Sequence, residues 1–248
     1  MRVKRSWDDK KLIVIEGSDG SGKQTQSQML VDALNQSMGS NFAQLIDFPD
    51  YESKTGQLVT AMLSGEFGKD AKSLNPYFTS PMYSLDRFRK MREIEESEDF
   101  RWNTHVYVCN RYTMSNLIHQ GARICDYDEL ITYWQWLYDF EFNKLELPKP
   151  TKTFYLYLPP SMIMYNIKKR HEETGKMVDI NETQDYIEMV DEQYRSIKGM
   201  VDWVKIACSN PSSMEDTMIS KENIHRFIIN ILKAEDTDLC AWLFNYNP

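Results

Sequence analysis

The chain has 248 residues, of which 42% are hydrophobic and 27% are charged, and its formal net charge is -8. This length and composition are ordinary for a soluble globular protein with one large α/β domain or two small ones. The acidic balance argues against a sequence-independent nucleic-acid binder, and no apolar run is long enough to span a bilayer, so we expect neither a nucleic-acid nor a membrane partner.

Short β-rich runs alternate with helical stretches along the chain. The predicted strands are Leu12–Glu16, Gln44–Phe48, His105–Cys109, Phe154–Leu158 and Val204–Cys208. The predicted helices are Gln24–Gln36, Lys54–Ser64, Thr79–Glu96, Tyr127–Asn143, Ser161–Glu173, Asp185–Met200 and Ser220–Lys233. This alternation predicts an α/β fold with a five-stranded parallel sheet flanked by helices. Ligands of such folds bind at the carboxyl ends of the strands, so four loops are expected around one cleft.

The four cysteines lie far apart and form no C-x-x-C pair, which argues against a zinc site and against a disulfide scaffold. They are Cys109, Cys125, Cys208 and Cys240. The basic N-terminus leads into the first predicted strand without the apolar core of a signal peptide. We therefore expect a cytoplasmic protein.

The segment GSDGSGK, residues 17–23, has the spacing of a phosphate-binding loop between a strand and a helix. Its glycines let backbone N–H groups turn toward a phosphate, and the helix N-terminus and Lys23 add positive charge. The usual motif continues with Ser or Thr, whereas this chain has Gln24. Asp19 is unfavourable beside a phosphate unless it has another task, such as binding a sugar hydroxyl or the water shell of a metal ion. The alternative is an exposed turn residue.

Five segments occur in an order that resembles the thymidylate kinase family. They are IEGSDGSGKQTQ, FPDYESKTGQLVTAMLSGEFG, SPMYSLDRF, NRYTMSNLIHQGAR and DINETQDYIEMVDEQY. The resemblance runs from about Lys11 to Lys233 and implies the three-layer P-loop nucleoside monophosphate kinase fold, as a single domain over residues 1–248. It also implies phosphorylation of dTMP to dTDP by ATP with Mg²⁺, and a homodimer.

The resemblance places ATP on the phosphate loop, on the start of the following helix and on one residue of a short lid at about 170–182. These ATP-binding residues are Gly17, Ser18, Asp19, Gly20, Ser21, Gly22, Lys23, Gln24, Thr25 and Arg170. Some relatives carry a basic residue in the loop after the aspartate and others carry it in the lid. Because this chain has Gly20 there, the resemblance implies that Lys176 is the lid cation and acts in catalysis with Lys23 and Arg111.

The dTMP site that the resemblance implies draws on several loops. Its residues are Asp19, Phe48, Pro49, Tyr51, Tyr83, Arg87, Asn110, Arg111, Ser115, Asn116 and Gln120. Tyr83 is implied to stack on thymine and Arg87 to bind its O4 edge; their spacing of four puts both on one helix face. The alternative is that Tyr83 belongs to the core and Arg87 pairs with an acidic residue. Arg111 is implied to clamp the dTMP phosphate.

Two positions depart from the family pattern, and both concern the metal ion. Gln24 replaces a hydroxyl residue, and Asn110 replaces an aspartate. Thr25 carries a hydroxyl but points about 100° away around the helix. The sequence therefore identifies no metal ligand, and it leaves open a kinase for another deoxynucleoside monophosphate such as dUMP, or a nucleotide-binding homologue with impaired catalysis. The tail, residues 234–248, is expected to pack its aromatic side chains on the core or on a partner subunit.

Overall fold

A five-stranded parallel sheet forms the centre of the structure, a computed structural model that describes residues 7–174, 183–197, 199, 201–210, 217–244 and 246. The strands are β1 (Lys11–Gly17), β2 (Ala43–Asp47), β3 (Val106–Asn110), β4 (Lys152–Tyr157) and β5 (Val204–Ala207). Their spatial order is β2-β3-β1-β4-β5, and every neighbouring pair is parallel. The predicted five-stranded sheet is confirmed, with each strand displaced by no more than two residues from its predicted bounds.

Helices cover both faces of this sheet. They are α1 (Lys23–Met38), α2 (Lys54–Leu63), α3 (Pro76–Glu96), α4 (Glu98–Trp102), α5 (Thr113–Ser115), α6 (Tyr127–Tyr138), α7 (Pro160–Thr174), α8 (Gln184–Ile197), α9 (Lys221–Glu235) and α10 (Thr237–Trp242). Short 3-10 segments lie at Trp7–Asp9, Ala71–Ser73 and Gly121–Arg123. Among the described residues, no helix is both long enough and apolar enough to cross a membrane.

Strand β1 shows why the layers form. Its residues from Leu12 onward are buried, as expected for a central strand covered on both faces. Leu12 and Val14 join the cluster that contains α3, whereas Ile13 and Ile15 join the cluster that contains α1 and α9. Because successive side chains of a strand point to opposite faces, one short apolar segment supplies both halves of the core.

Several features differ from the sequence prediction, among them the short helices α4 and α10, which were not predicted. The helix predicted over Tyr127–Asn143 is α-helical only to Tyr138 and continues as a π-helix over Asp139–Lys144. A second π-helix, Asn116–Gln120, follows α5. Two short antiparallel strands, β6 (Ser209–Asn210) and β7 (Thr217–Met218), were not predicted, since two-residue strands leave no alternation to detect.

The described part of the C-terminal tail packs mainly on the core. Leu243 is buried, and Trp242 and Tyr246 lie against the same cluster as α1 and α9. The ring of Trp242 meets that of Phe42 edge-on at 5.0 Å between centroids. Phe244 differs, because 76% of it is exposed. The core interpretation of the tail therefore holds for three of its described apolar side chains and is wrong for Phe244.

Candidate active site

The phosphate loop leaves β1 in a conformation that requires glycine. A Cβ on Gly17 would lie 2.3 Å from the carbonyl oxygen of Leu156 on β4, which is too close for any side chain. Gly22 has a φ of 87°, in the left-handed region, and it stands immediately before the first residue of α1. Asn166 of α7 donates a hydrogen bond of 3.2 Å to the carbonyl of Gly20. These contacts hold the loop against the amino end of α1, where a phosphate would meet backbone N–H groups.

Lys23 lies folded across this loop. It is 7% exposed, and its ammonium donates to the carbonyl oxygen of Ser18 at 2.8 Å and contacts Asp19 Oδ1 at 3.5 Å. Burial lowers the pKa of Lys23 to about 8; Arg111 lowers it further, and Asp19 offsets part of the shift. The lysine is therefore a cation whose charge is easily lost at mildly basic pH.

We expect ATP binding to take up a proton near pH 8. With a pKa of about 8, about half of the Lys23 population is neutral at that pH. The phosphates of ATP favour the charged form, so affinity should fall as the pH rises above 8. Isothermal titration calorimetry at pH 8, in buffers of different ionisation enthalpy, should show uptake of about half a proton per ATP.

The matched variant for this experiment is Lys23→Arg, which stays charged throughout the range. It should bind ATP at pH 8 without the proton uptake that the wild type shows. Equal proton uptake in both proteins would mean that another group titrates on binding.

Arg111 joins the phosphate loop to a neighbouring cleft. One of its terminal nitrogens bonds Asp19 Oδ1, and the other lies 3.3 Å from His119 Nε2. Burial would raise the pKa of Asp19, but Arg111 and Lys23 together hold it well below its usual range. Burial, with the nearby Arg111 charge, lowers the pKa of His119 to about 3, so its ring is neutral at physiological pH. The arrangement leaves two cations facing one carboxylate.

The backbone at Arg111 is strained, and hydrogen bonds to Ile15 and Glu16 hold the turn in place. Its φ is 67°, in the left-handed region that non-glycine residues seldom adopt, and its N–H donates to the carbonyl of Ile15 at 3.0 Å. The buried carboxylate of Glu16 accepts from the N–H of Tyr112 at 2.7 Å, and from the N–H and hydroxyl of Ser115 at 3.1 and 2.6 Å. Burial raises the pKa of Glu16, although these donors oppose it. Glu16 thus anchors the turn that presents Arg111.

A cleft of about 630 Å³, counted with its solvent-facing mouth, opens beside Arg111. It is lined by Asp19, Phe48, Pro49, Tyr51, Leu63, Tyr83, Asp86, Arg87, Arg111, Ser115, Asn116, His119 and Gln120. All of the substrate residues named from the sequence are in this set except Asn110. The structure therefore brings residues of α3 together with residues that follow strands β1, β2 and β3. The role of each residue stays a prediction.

Arg87 is held in the cleft wall by Glu141. Its Nη2 lies 2.5 Å from Glu141 Oε1, with 2% of the arginine side chain exposed and none of the glutamate. The same carboxylate accepts from Ser84 at 2.6 Å, Thr113 at 2.5 Å and Asn116 at 3.3 Å. The alternative of an acid-paired Arg87 is thus observed, and Arg87 still lines the cleft. Its Nε is buried and has no hydrogen-bond partner among the described residues, which is uncommon for a buried donor.

Several residues of this site were missed by sequence reasoning. Glu141 comes from the π-helix Asp139–Lys144, where a predicted α-helical register would not place it reliably. Asp86 is buried and accepts from Ser53 at 2.9 Å and Thr55 at 2.7 Å, which fixes the loop before α2. His119 lay within a quoted segment but was given no role. A useful signal for Asp86 was its place directly beside Arg87.

The polar side chains near the phosphate loop differ in their exposure. Gln24 and Thr25 are both exposed on the first turn of α1. Asn110 is buried beside Asp47, to which its Nδ2 donates at 2.7 Å, and its Oδ1 has no partner among the described residues. Lys176 lies outside the described residues, as does most of the lid, and the side chain of Arg170 is not described.

Comparisons with known proteins agree on one family. The family model described as thymidylate kinase matches residues 15–218. A probable thymidylate kinase from Methanocaldococcus jannaschii is 26% identical over 228 residues, covering 91% of this chain and 97% of that relative. A thymidylate kinase from Schizosaccharomyces pombe is 25% identical over 221 residues, covering 87% and 94%.

A solved structure of thymidylate kinase from Candida albicans has a TM-score of 0.64 and 21% identity, and it covers 91% of this chain and 92% of its own. At this identity the likeness shows the fold, which is the three-layer arrangement described above. The family match is independent of it and covers most of the sequence, including the phosphate loop from Ile15 onward. This chain belongs to the thymidylate kinase family.

Proposed function

We propose that this protein phosphorylates dTMP to dTDP with ATP. The observation that carries the proposal is the double contact of Arg111, which lines the cleft and also bonds Asp19 of the phosphate loop. A monophosphate held by Arg111 would lie beside a phosphate held by Lys23. The cleft and the loop are therefore two halves of one transfer site.

The far part of the cleft fits a pyrimidine base. Tyr83 supplies an aromatic ring, and Arg87 supplies a guanidinium with one unpartnered donor. Asn116 and Gln120 add amides, which both donate and accept hydrogen bonds. Burial raises the pKa of Tyr83, so its hydroxyl stays neutral and adds no negative charge next to the base.

The chemistry needs no general base. The attacking dTMP phosphate oxygen is already an anion, so the transfer depends on positioning and on positive charge around the moving phosphoryl group. Lys23 and Arg111 supply that charge, and the proposal retains Lys176 for the lid. Binding of the dTMP phosphate would draw Arg111 from Asp19, leaving Asp19 for the sugar or for the water shell of the metal ion.

Mg²⁺ would arrive with ATP and neutralise part of the triphosphate charge when bound. The chain offers oxygen atoms for it at the ends of two neighbouring strands, in Asp47 and Asn110. The buried, unpartnered Oδ1 of Asn110 fits such a cation, because a carbonyl oxygen is a normal magnesium ligand. Among the described residues, no group of three or more His, Cys, Asp and Glu side chains forms a metal site by itself. A site shared with ATP phosphates agrees with that finding.

A coupled assay of ADP release, with Mg-ATP and a panel of dTMP, dUMP, dCMP and dGMP, tests the proposed function. We expect turnover with dTMP, weaker turnover with dUMP, and none above background with dCMP or dGMP. Preference for dUMP would reassign the substrate. Nucleotide binding without turnover of any monophosphate would identify a binding protein that has lost the chemistry.

The proposal includes a homodimer. Four exposed apolar side chains lie on or near α2 and α3: Leu58, Phe67, Phe78 and Leu85. Phe67 and Phe78 meet edge-on at 5.6 Å between ring centroids, so these two rings form one exposed apolar area. Such an area favours a protein partner, and light scattering of the purified chain should give twice the monomer mass of 29.3 kDa. A monomer mass at working concentration would contradict it.

A further inference from the structure

We propose that Asp47, together with the amide oxygen of Asn110, holds Mg²⁺ against the ATP phosphates in this protein. The inference rests on the proposed use of Mg-ATP and assigns the residues that bind the ion. Asp47 is the last residue of β2 and lies directly opposite Asn110, the last residue of β3. Both therefore stand at the carboxyl edge of the sheet, where ligands of this fold bind.

Asp47 lies close enough to the two cations of the phosphate site for their charges to act on its carboxyl group. Burial raises the pKa of its carboxyl group, while the Asn110 amide, Arg111 and Lys23 each lower it, so both cations lie within its electrostatic reach. Asp47 is nevertheless exposed and has no ion pair among the described residues. It is a carboxylate beside the transfer site that keeps access to solvent.

The other carboxylates near this edge of the sheet already bind cations or hydrogen-bond donors of the protein. Asp19 contacts both Lys23 and Arg111, and buried Glu16 accepts three hydrogen bonds from the turn after β3. Asp50 is paired with Arg89 of α3. Asp47 is thus the carboxylate around this edge that is best placed to accept a new cation.

Asn110 provides the second, independent observation. The residue is 8% exposed, its Nδ2 is used by Asp47, and its Oδ1 has no partner among the described residues. A buried acceptor of this kind is uncommon unless a ligand satisfies it. Its oxygen belongs to the same amide group whose Nδ2 donates to Asp47, so a neutral and an anionic oxygen donor lie in adjacent side chains.

The chemistry of this pair suits Mg²⁺. Magnesium prefers oxygen ligands, keeps several waters, and is commonly held by one or two carboxylates plus substrate phosphates. Gln24, the position where a hydroxyl residue would be expected, is exposed on the first turn of α1 and supplies only a long-armed amide. The ion would then be held from the strand edge, on the side of Asp47, rather than from the helix.

Binding of Mn²⁺ as a magnesium probe tests the inference directly. Electron paramagnetic resonance titrations would be run with a non-hydrolysable ATP analogue and dTMP present. Asp47→Asn should weaken Mn²⁺ binding by about 10–100-fold, the range seen when metal-site partners are removed. Glu52→Gln, which removes an exposed carboxylate a few residues along the chain, should leave the Mn²⁺ affinity near that of the wild type.

A charge-return variant sharpens the test. Asp47→Asn combined with Asn110→Asp moves the carboxylate from β2 to β3 and should restore most of the Mn²⁺ affinity.

A second readout is the affinity for ATP in the presence of EDTA, which removes the metal ion. Asp47→Asn should bind ATP more tightly than the wild type there, because a negative charge beside Lys23 has been removed. With Mg²⁺ present, the wild type should bind ATP more tightly than Asp47→Asn.

The outcomes distinguish the role of Asp47 from the proposed use of Mg-ATP. Wild-type binding of Mn²⁺ with nucleotide, unchanged in Asp47→Asn, would overturn the role of Asp47 alone. Failure of the wild type to bind Mn²⁺ with nucleotide would overturn the proposed use of Mg-ATP as well. If Asp47→Asn does not fold, Asp47→Ser replaces it, with the same expected loss and the same contradicting result.

Discussion

Arg111→Ala is expected to lower kcat/KM for dTMP by about a thousandfold, the loss typical of a cation that stabilises a transferring phosphoryl group. Arg111 lines the cleft, forms an ion pair with Asp19 of the phosphate loop, and lies beside the ring of His119. Removing it takes away the proposed clamp on the dTMP phosphate. It also leaves the Asp19 carboxylate facing incoming phosphates with less positive charge around it.

The choice of alanine isolates the side chain. Arg111 has a φ of 67°, and alanine keeps the backbone cost of that conformation, whereas Arg111→Gly would relieve about 1 kcal/mol of it. Arg111→Lys is the matched control: it keeps the charge but loses the forked donor, and we expect a loss of about tenfold to a hundredfold. Steady-state kinetics with varied dTMP decides the matter. An Arg111→Ala enzyme within tenfold of the wild type would exclude the clamp.

Glu141→Ala is expected to destabilise the protein by about 3–5 kcal/mol, because it leaves a buried charge on Arg87 without its partner. Glu141 is fully buried and accepts hydrogen bonds from Arg87, Ser84, Thr113 and Asn116. Urea unfolding followed by circular dichroism gives the free energy of unfolding. Glu129→Ala, which removes an exposed carboxylate from the first turn of α6, should change it by less than about 0.5 kcal/mol.

The paired variant Arg87→Met with Glu141→Leu separates stability from recognition. Replacing both partners of a buried ion pair with apolar residues of similar size is often neutral or stabilising, so the free energy of unfolding should recover in part. Recovery is incomplete because Ser84, Thr113 and Asn116 still lose the Glu141 acceptor. The KM for dTMP should be higher than in the wild type, since the guanidinium that we propose to face the base is gone. Full recovery of dTMP affinity in this pair would show that Arg87 serves the fold alone.

Much of the fold could be predicted because its signals are local. The apolar segment of β1, the glycine loop and the first turn of α1 are contiguous, so one short stretch specifies strand, turn and helix together. The four-residue spacing of Tyr83 and Arg87 likewise predicts a shared helix face, and both line the cleft.

The remainder depends on pairings between distant residues. Arg87 meets Glu141, 54 positions away, only because a π-helix carries that glutamate into the core. Asp47 meets Asn110 through the register of β2 against β3, which the composition of neither strand encodes. The strained backbone of Arg111 depends on Glu16, at the end of a different strand. Spacing within one element cannot reveal such contacts.

We propose that the cleft and the phosphate loop form one phosphoryl-transfer site that joins at Arg111. The most direct measurement is ³¹P NMR of a mixture of the protein, Mg-ATP and dTMP. We predict that the γ-phosphate signal of ATP is lost while the β-phosphate signal of dTDP appears in equal amount, and that Arg111→Ala slows this by about a thousandfold. Formation of inorganic phosphate in place of dTDP, or dTDP formation at the wild-type rate in Arg111→Ala, would contradict the claim.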